Sequence, residues 1–138
     1  MLALAGCLAV AGCVTVRLIA DYDEQIDRGI TAFHRATANH LAALEGAIGT
    51  ADAAYAKHAE FYRQARVDLS SLRVRAAARD RNEITVQQMD LLAEQVATLE
   101  RMHKEGLQIN DIRPLRDHFN AGVTAILKLE LAKRRGAQ

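Results

Sequence analysis

The chain has little from which to build a β-sheet or a disulfide scaffold. Tryptophan is absent, tyrosine and phenylalanine occur three times each, and the single proline is Pro114. Sandwiches and barrels draw on aromatic and β-branched residues between frequent turns, so composition argues against that class. The only cysteines are Cys7 and Cys13. Everything after them is thiol-free, which excludes a disulfide framework and a thiolate metal site in the body of the protein. Serine is nearly as scarce: Ser70 and Ser71 are the only two, in no Gly-x-Ser-x-Gly turn, and no glycine-rich phosphate loop is present. Serine hydrolases and nucleotide-binding folds lose their signatures accordingly. Charge of one sign is also missing. Eighteen basic and seventeen acidic residues leave a formal charge of +1, without the basic excess of a nucleic-acid binder.

What the sequence has in quantity is alanine, 26 residues in 138, and apolar residues at helical spacing. Ala-rich, Pro-poor chains favour helix. Ile19, Tyr22, Ile26, Ile30, Phe33, Thr37, Leu41, Leu44 and Ile48 step by three or four, with Thr37 bridging a gap, and predict a first helix over 17–48. Tyr55, Ala59, Tyr62, Ala65, Leu69, Leu72 and Ala76 predict a second, N-capped by Asp52 and fading near 79–82. Val86, Met89, Leu92, Val96, Leu99 and Met102 mark a third, starting near Thr85 and stopped by Gly106. Leu115, Phe119, Val123, Ile126, Leu127 and Leu131 mark a fourth, opened by Asn110 or Asp111 with Pro114 in its first turn. Gly29 and Gly122 fall inside helices, which points to close backbone packing there.

Four amphipathic stretches with short connections predict an all-α, up-down-up-down antiparallel four-helix bundle. Net charge alternates along the chain: −2 over 17–48, +3 over 49–81, −3 over 82–106 and +3 over 107–138. In an up-and-down bundle this sets opposite charges across every seam, including the one that closes the first helix on the fourth. Exposed pairs contribute little singly, but they exclude like-charged neighbours.

Residues 1–12 are uncharged and composed almost wholly of Leu, Ala, Val and Gly, too short to span a bilayer and shaped like the h-region of a processing signal. Val10-Ala11-Gly12-Cys13 resembles a bacterial lipobox, and Leu4-Ala5-Gly6-Cys7 resembles a second one with less apolar chain before it. The resemblance implies acylation of Cys13, with Cys7 as second choice. The domains are then a signal peptide at 1–12, a lipidated cysteine and tether at 13–20, and the bundle at 21–138. The missing positive n-region after Met1 fits a translational start further upstream. Several acyl chains on one cysteine meet the requirement for stable attachment, at about 0.8 kcal/mol per buried CH₂. The residue after Cys13 is Val14, not Asp, which by resemblance to enteric sorting favours the outer over the inner membrane. An anchor at the start of the first helix brings the ends of helices two and four back to the lipid. Arg79, Arg81, Lys133, Arg134 and Arg135 are then the membrane-proximal basic residues, although cations at helix C-termini are stabilising on their own.

Catalytic chemistry is thin. Glu100-Arg101-Met102-His103 has the Glu-x-x-His spacing of a di-iron ligand pair, but one copy does not make a centre, so Glu100 and His103 are only weak metal candidates and no metal or other cofactor is expected. Asp21, Asp23, Glu24 and Asp27 read as first-turn capping carboxylates. Tyr22, Tyr55 and Phe61 could form an exposed dimerisation strip.

Three segments carry a wider resemblance: 18–27 (Leu-Ile-Ala-Asp-Tyr-Asp-Glu-Gln-Ile-Asp), 82–85 (Asn-Glu-Ile-Thr) and 119–133, from Phe119 to Lys133. Together they resemble a group of short, uncharacterised bacterial envelope lipoproteins. The resemblance implies a non-enzymatic, periplasm-facing, lipid-anchored protein with membrane lipid and another envelope protein as its partners and no nucleic acid. The rival expectation is a periplasmic small-ligand or metal carrier with a site inside the bundle near His103, Glu100 or Tyr62.

Overall fold

The computed structural model of the protein describes residues 19–136. The lipobox cysteines Cys7 and Cys13, and the segment around them, lie outside the described residues. Four helices follow in order: α1 Glu24–Ala47, α2 Tyr55–Ala77, α3 Glu83–Gly106 and α4 Ile109–Gly136, with one 3-10 turn at Ala51–Ala53. Among the described residues there is no strand. Each helix lies against its sequence neighbours, α4 closes on α1, and the diagonal pairs are held apart across the core. This is the up-down-up-down four-helix bundle that the short connections predict.

The core follows alternating steps of three and four. In α3 the buried residues are Thr85, Met89, Leu92, Val96, Leu99 and His103, an unbroken series of that kind. In α4 they run Phe119, Val123, Ile126, Glu130 and Lys133. A 3.5-residue period keeps one seam facing the bundle axis over the whole helix. In the middle the seam is apolar apart from Thr37: Ile30, Phe33, Leu69, Leu92, Val96 and Val123 are nearly or completely inaccessible, and the ring centroids of Phe33 and Phe119 lie 6.3 Å apart across α1 and α4. At both ends the same seam positions turn polar.

Three helix starts differ from expectation, each for a local reason. α1 begins at Glu24, not residue 17, because Asp23 is extended and its side chain accepts the N–H groups of Gln25 and Ile26. α2 begins at Tyr55, because Thr50 caps the 3-10 turn before Asp52 can open a helix. α4 begins at Ile109, with Asp111 Oδ2 accepting the Gln108 N–H at 2.8 Å, so Pro114 falls in the second turn. The helix accommodates it there because Asn110, whose carbonyl loses a partner, is exposed to water. The turn between α2 and α3 has no glycine. Arg81 adopts φ 63°, and its carbonyl accepts the Ala20 N–H at 3.2 Å.

The charge alternation appears as ion pairs across three seams. Arg73 meets Asp90 and Arg66 meets Glu100 between α2 and α3, Arg116 meets Glu45 between α4 and α1, and Arg75 meets Asp23 between α2 and the start of α1. The two interior glycines mark close approaches. A Cβ at Gly29 would lie 2.4 Å from Leu72 Cδ2, and one at Gly122 would lie 2.7 Å from Leu92 Cδ2. Gly29→Val is therefore expected to destabilise the bundle by about 1–3 kcal/mol through overpacking, and Leu72→Ala in the same chain should recover part of that loss. Urea unfolding of the two single variants and the double variant measures the coupling.

Candidate functional site

Helix direction sorts the termini into two ends. The starts of α1 and α3 and the ends of α2 and α4 form the proximal end, where the chain enters the bundle. The 3-10 turn and the α3–α4 connection close the distal end. Each end holds one buried polar cluster.

At the proximal end the core seam of α4 carries Glu130 and Lys133, which are 0% and 3% exposed. An ammonium has three protons to place. Lys133 Nζ donates to Asn82 Oδ1 at 2.5 Å, to Thr85 Oγ1 at 2.8 Å and to Glu130 Oε1. The other Glu130 oxygen accepts the Asp23 backbone N–H at 3.2 Å. Asn82 Nδ2 donates to the Ala76 carbonyl at 3.0 Å and closes the end of α2. Asp23 caps α1 with one oxygen and with the other receives Arg75 and Arg79, each at 2.8 Å. Burial alone would raise the Asp23 pKa. The Arg75 hydrogen bond, the capping Gln25 N–H and the nearby Arg79 charge outweigh it and hold the carboxyl below its ordinary value.

This placement revises the expected basic surface. Lys133 faces the core and is neutralised by Glu130, so it cannot meet a lipid headgroup. Arg79 is bound to Asp23. Arg81 closes the α2–α3 turn beside Ala20, and Arg134 lies 5.7 Å from the Tyr22 ring centroid. Arg134 and Arg135 are exposed. Leu131, expected on the core face, is 42% exposed because Glu130 takes the seam position.

At the distal end Tyr62 sits between two imidazoles. Its hydroxyl lies 3.2 Å from His40 Nε2 and 2.8 Å from His103 Nδ1, while His103 Nε2 lies 2.6 Å from the Ala53 carbonyl. A carbonyl can only accept, so His103 Nε2 carries a proton and, in the neutral ring, Nδ1 is bare. Tyr62 O–H then donates to His103 Nδ1, and His40 Nε2–H donates to the Tyr62 oxygen. The direction of the whole chain follows from one carbonyl. His58 Nε2 similarly donates to the Asp52 carbonyl at 2.9 Å. His40 stacks on Phe61 with centroids 3.8 Å apart. Burial, followed by the nearby His58 and His103, lowers the His40 pKa to about 3, and burial raises the Tyr62 phenol above its ordinary value.

Glu100 and His103 do not form a ligand pair. Tyr55 Oη donates to Glu100 at 2.6 Å, Arg66 and Lys104 bind the same carboxylate, and His103 is committed to Tyr62 and Ala53. The Tyr55 hydrogen bond in particular lowers the Glu100 pKa. Among the described residues no group of three His, Cys, Asp or Glu is placed to hold a metal ion. Tyr22, Tyr55 and Phe61 do not form an exposed strip either. Tyr22 bonds Asp27 at 2.8 Å, while Tyr55 and Phe61 are half-buried against the core. Beside His103 lies a cleft of about 230 Å³, walled by Leu44, Ile48, Ala54 and Leu107 among others.

Comparison with known proteins finds no matching family model, curated protein or solved structure. Among the described residues, no helix is long and apolar enough to cross a membrane.

Two outcomes are expected. Lys133→Met strands a buried carboxylate and should cost about 3–5 kcal/mol, whereas Lys133→Met with Glu130→Leu should cost less than that single change. Chemical denaturation distinguishes them. His40 is held neutral in the fold and takes up a proton more readily when unfolded. Its contribution is therefore complete above the ordinary imidazole value near pH 6.5 and is lost as pH falls from there towards 3. The ceiling is about 5 kcal/mol. His40→Phe, which preserves the stack on Phe61, should flatten the pH dependence of the melting temperature over that window.

Proposed function

We propose that this protein is a bacterial envelope lipoprotein: a helical bundle tethered to a membrane through acyl chains on Cys13, facing the periplasm and binding another envelope component, with no reaction of its own. The observation that carries the reading is the Val10–Cys13 lipobox placed immediately before the bundle. From Cys13 to Ile19 is six residues, a covalent reach of about 20 Å at most. The backbone then bonds to the α2–α3 turn through Ala20 and Arg81, and to α4 through Asp23 and Glu130. A tether of that reach holds the proximal end next to the lipid and points the distal end away from it. Val14 after the lipid cysteine favours the outer membrane.

Apolar side chains left on the surface supply binding area for a partner. Ile84 and Leu91 stand one heptad apart on α3, and Val67 and Val74 stand one heptad apart on α2, all at least 48% exposed. The cleft beside His103 favours a second reading, a carrier of a small apolar ligand. Native mass spectrometry of the purified protein separates the two, because a stoichiometric bound molecule supports only the carrier.

Radiolabelled palmitate given to cells expressing the full chain should label the protein and partition it with membranes. Cys13→Ser should abolish the label and release the protein, and Cys7→Ser should leave both unchanged. Label retained by Cys13→Ser would contradict the anchor site.

A further inference from the structure

Beside the core seam, α3 and α4 each carry a second series of three-and-four steps. On α3 it runs Ile84, Gln88, Leu91, Gln95, Thr98 and Met102, and on α4 it runs Gly122, Ala125, Leu129 and Ala132. No member is charged. The two series meet where Gly122 faces Leu92 and Gln95, so together they form one face of the bundle. We propose that this face receives a second copy of the chain, related by a two-fold axis parallel to the bundle axis, so that α3 of each copy lies on α4 of the other. The dimer rests on the reading of Ile84 and Leu91 as partner-binding side chains and not on the acyl anchor.

The outside of this seam is finished differently from its neighbours. Ion pairs join α2 to α3, α4 to α1 and α2 to the start of α1, whereas among the described residues none joins exposed side chains of α3 and α4. Ile84 and Leu91 remain 55% and 50% exposed. Gln95 Oε1 is buried without a hydrogen-bond partner, a costly state for an acceptor. Large and small side chains are also segregated. The α3 series projects Ile84, Leu91 and Met102, while the α4 series, Leu129 apart, is glycine and alanine. Thr85 bonds Lys133 and Leu92 lies against Gly122, so Ile84 stands at about the height of Ala132 and Leu91 near that of Ala125. One face thus holds both the projections and the shallow sites that fit them, the self-complementarity of an isologous contact.

Charge selects between the two ways of stacking such a face on itself. A two-fold axis in the interface either runs along the helices and lays α3 on α4 of the second copy, or runs across them and lays α3 on α3. Residues 82–106 carry a net charge of −3 and residues 107–138 carry +3, so the first arrangement opposes unlike charges and the second opposes like ones. The first also keeps every residue at its own height. It sets Leu91 over Ala125 and Ile84 over Ala132, and it brings both Gln95 amides to one level, where Nε2 of one copy supplies the donor that Oε1 of the other lacks. The area is sufficient. The helices contain 24 and 28 residues. At about 1.5 Å per residue and about 10 Å between helices, the face measures about 700 Å² per copy, against about 800 Å² per partner in a standard interface. Both proximal ends then point the same way, as two tethers in one membrane require.

The test uses the full chain with Cys7→Ser and Cys13→Ser, so that acylation plays no part and a failure of the anchor leaves the result untouched. Sedimentation equilibrium of this parent should show a dimer. Leu91→Glu should weaken it at least about tenfold with the helical circular dichroism unchanged, and Val67→Glu, on α2 outside the face, should leave it as it was. Leu91→Cys and Ala125→Cys, made singly in the same parent, mixed and oxidised, should form the mixed disulfide in excess of its random share. A parent that is monomeric at every concentration overturns the dimer and leaves the face to another protein. A dimer that Leu91→Glu leaves intact overturns it as well, and so does a Leu91→Cys chain that cross-links to itself in preference to Ala125→Cys.

Discussion

The arrangement of the proximal end depends on one ammonium group. Lys133 and Glu130 occupy seam positions that in the middle of the bundle belong to isoleucine and valine. Removing two charges from water is costly unless every donor and acceptor finds a partner. Here Lys133 fills its three donor directions with Asn82, Thr85 and Glu130, and Glu130 uses its second oxygen on the Asp23 N–H. Those partners come from the α2–α3 turn, the first turn of α3 and the residue that starts α1. The network is satisfied only when the end of α4 lies beside the starts of α1 and α3. An apolar seam would tolerate a sliding or inverted helix, whereas this one penalises it with a stranded charge. Specification of topology is the best-attested use of such buried polar groups.

The bundle is thus an apolar middle closed by two different polar ends. The proximal end is ionic, and its principal acid, Asp23, is held below its ordinary titration range by the arginines and the capping N–H that face it. The distal end is built from imidazoles, phenols and two backbone carbonyls, with the Glu100 carboxylate bound by Tyr55, Arg66 and Lys104 beside it. Acid therefore acts on the two ends differently. At the proximal end acid has to protonate Asp23, which its arginines hold ionised, and at the distal end it has to charge His40, which burial keeps neutral.

The architecture was legible because four stripes of three-and-four spacing, short connections and an alternating charge balance all indicate the same bundle. That Gly29 and Gly122 mark close approaches was legible as well, since a glycine inside a helix needs a reason, but the space is filled by the side chains of Leu72 and Leu92 and not by a neighbouring backbone. The polar ends were not. A stripe is read by its apolar members, so it ended at Leu127 and Leu131, although extending the steps beyond Ile126 lands on Glu130 and Lys133. The same extension of α3 beyond Leu99 lands on His103, and that of α1 beyond Thr37 lands on His40. Spacing alone could have placed all four in the core. Their partners could not be read that way, because Asp23, Asn82 and Ala53 lie at helix ends, and which ends meet is settled only by the packed bundle. Segments 18–27, 82–85 and 119–133 supply Asp23, Asn82 with Thr85, and Glu130 with Lys133, so they meet in the ionic cluster.

The ammonium group can be observed directly. The protein has four lysines, Lys57, Lys104, Lys128 and Lys133. In nitrogen-15 NMR near neutral pH, an ammonium exposed to water loses its signal to rapid hydrogen exchange, whereas a buried and fully bonded one persists. The expected result is a persistent ammonium resonance from Lys133, with through-space contacts to Asn82 and Thr85, that disappears in Lys133→Met. A spectrum in which the Lys133 ammonium exchanges as fast as that of Lys128 would contradict the buried network and the registration of the four helices that is built on it.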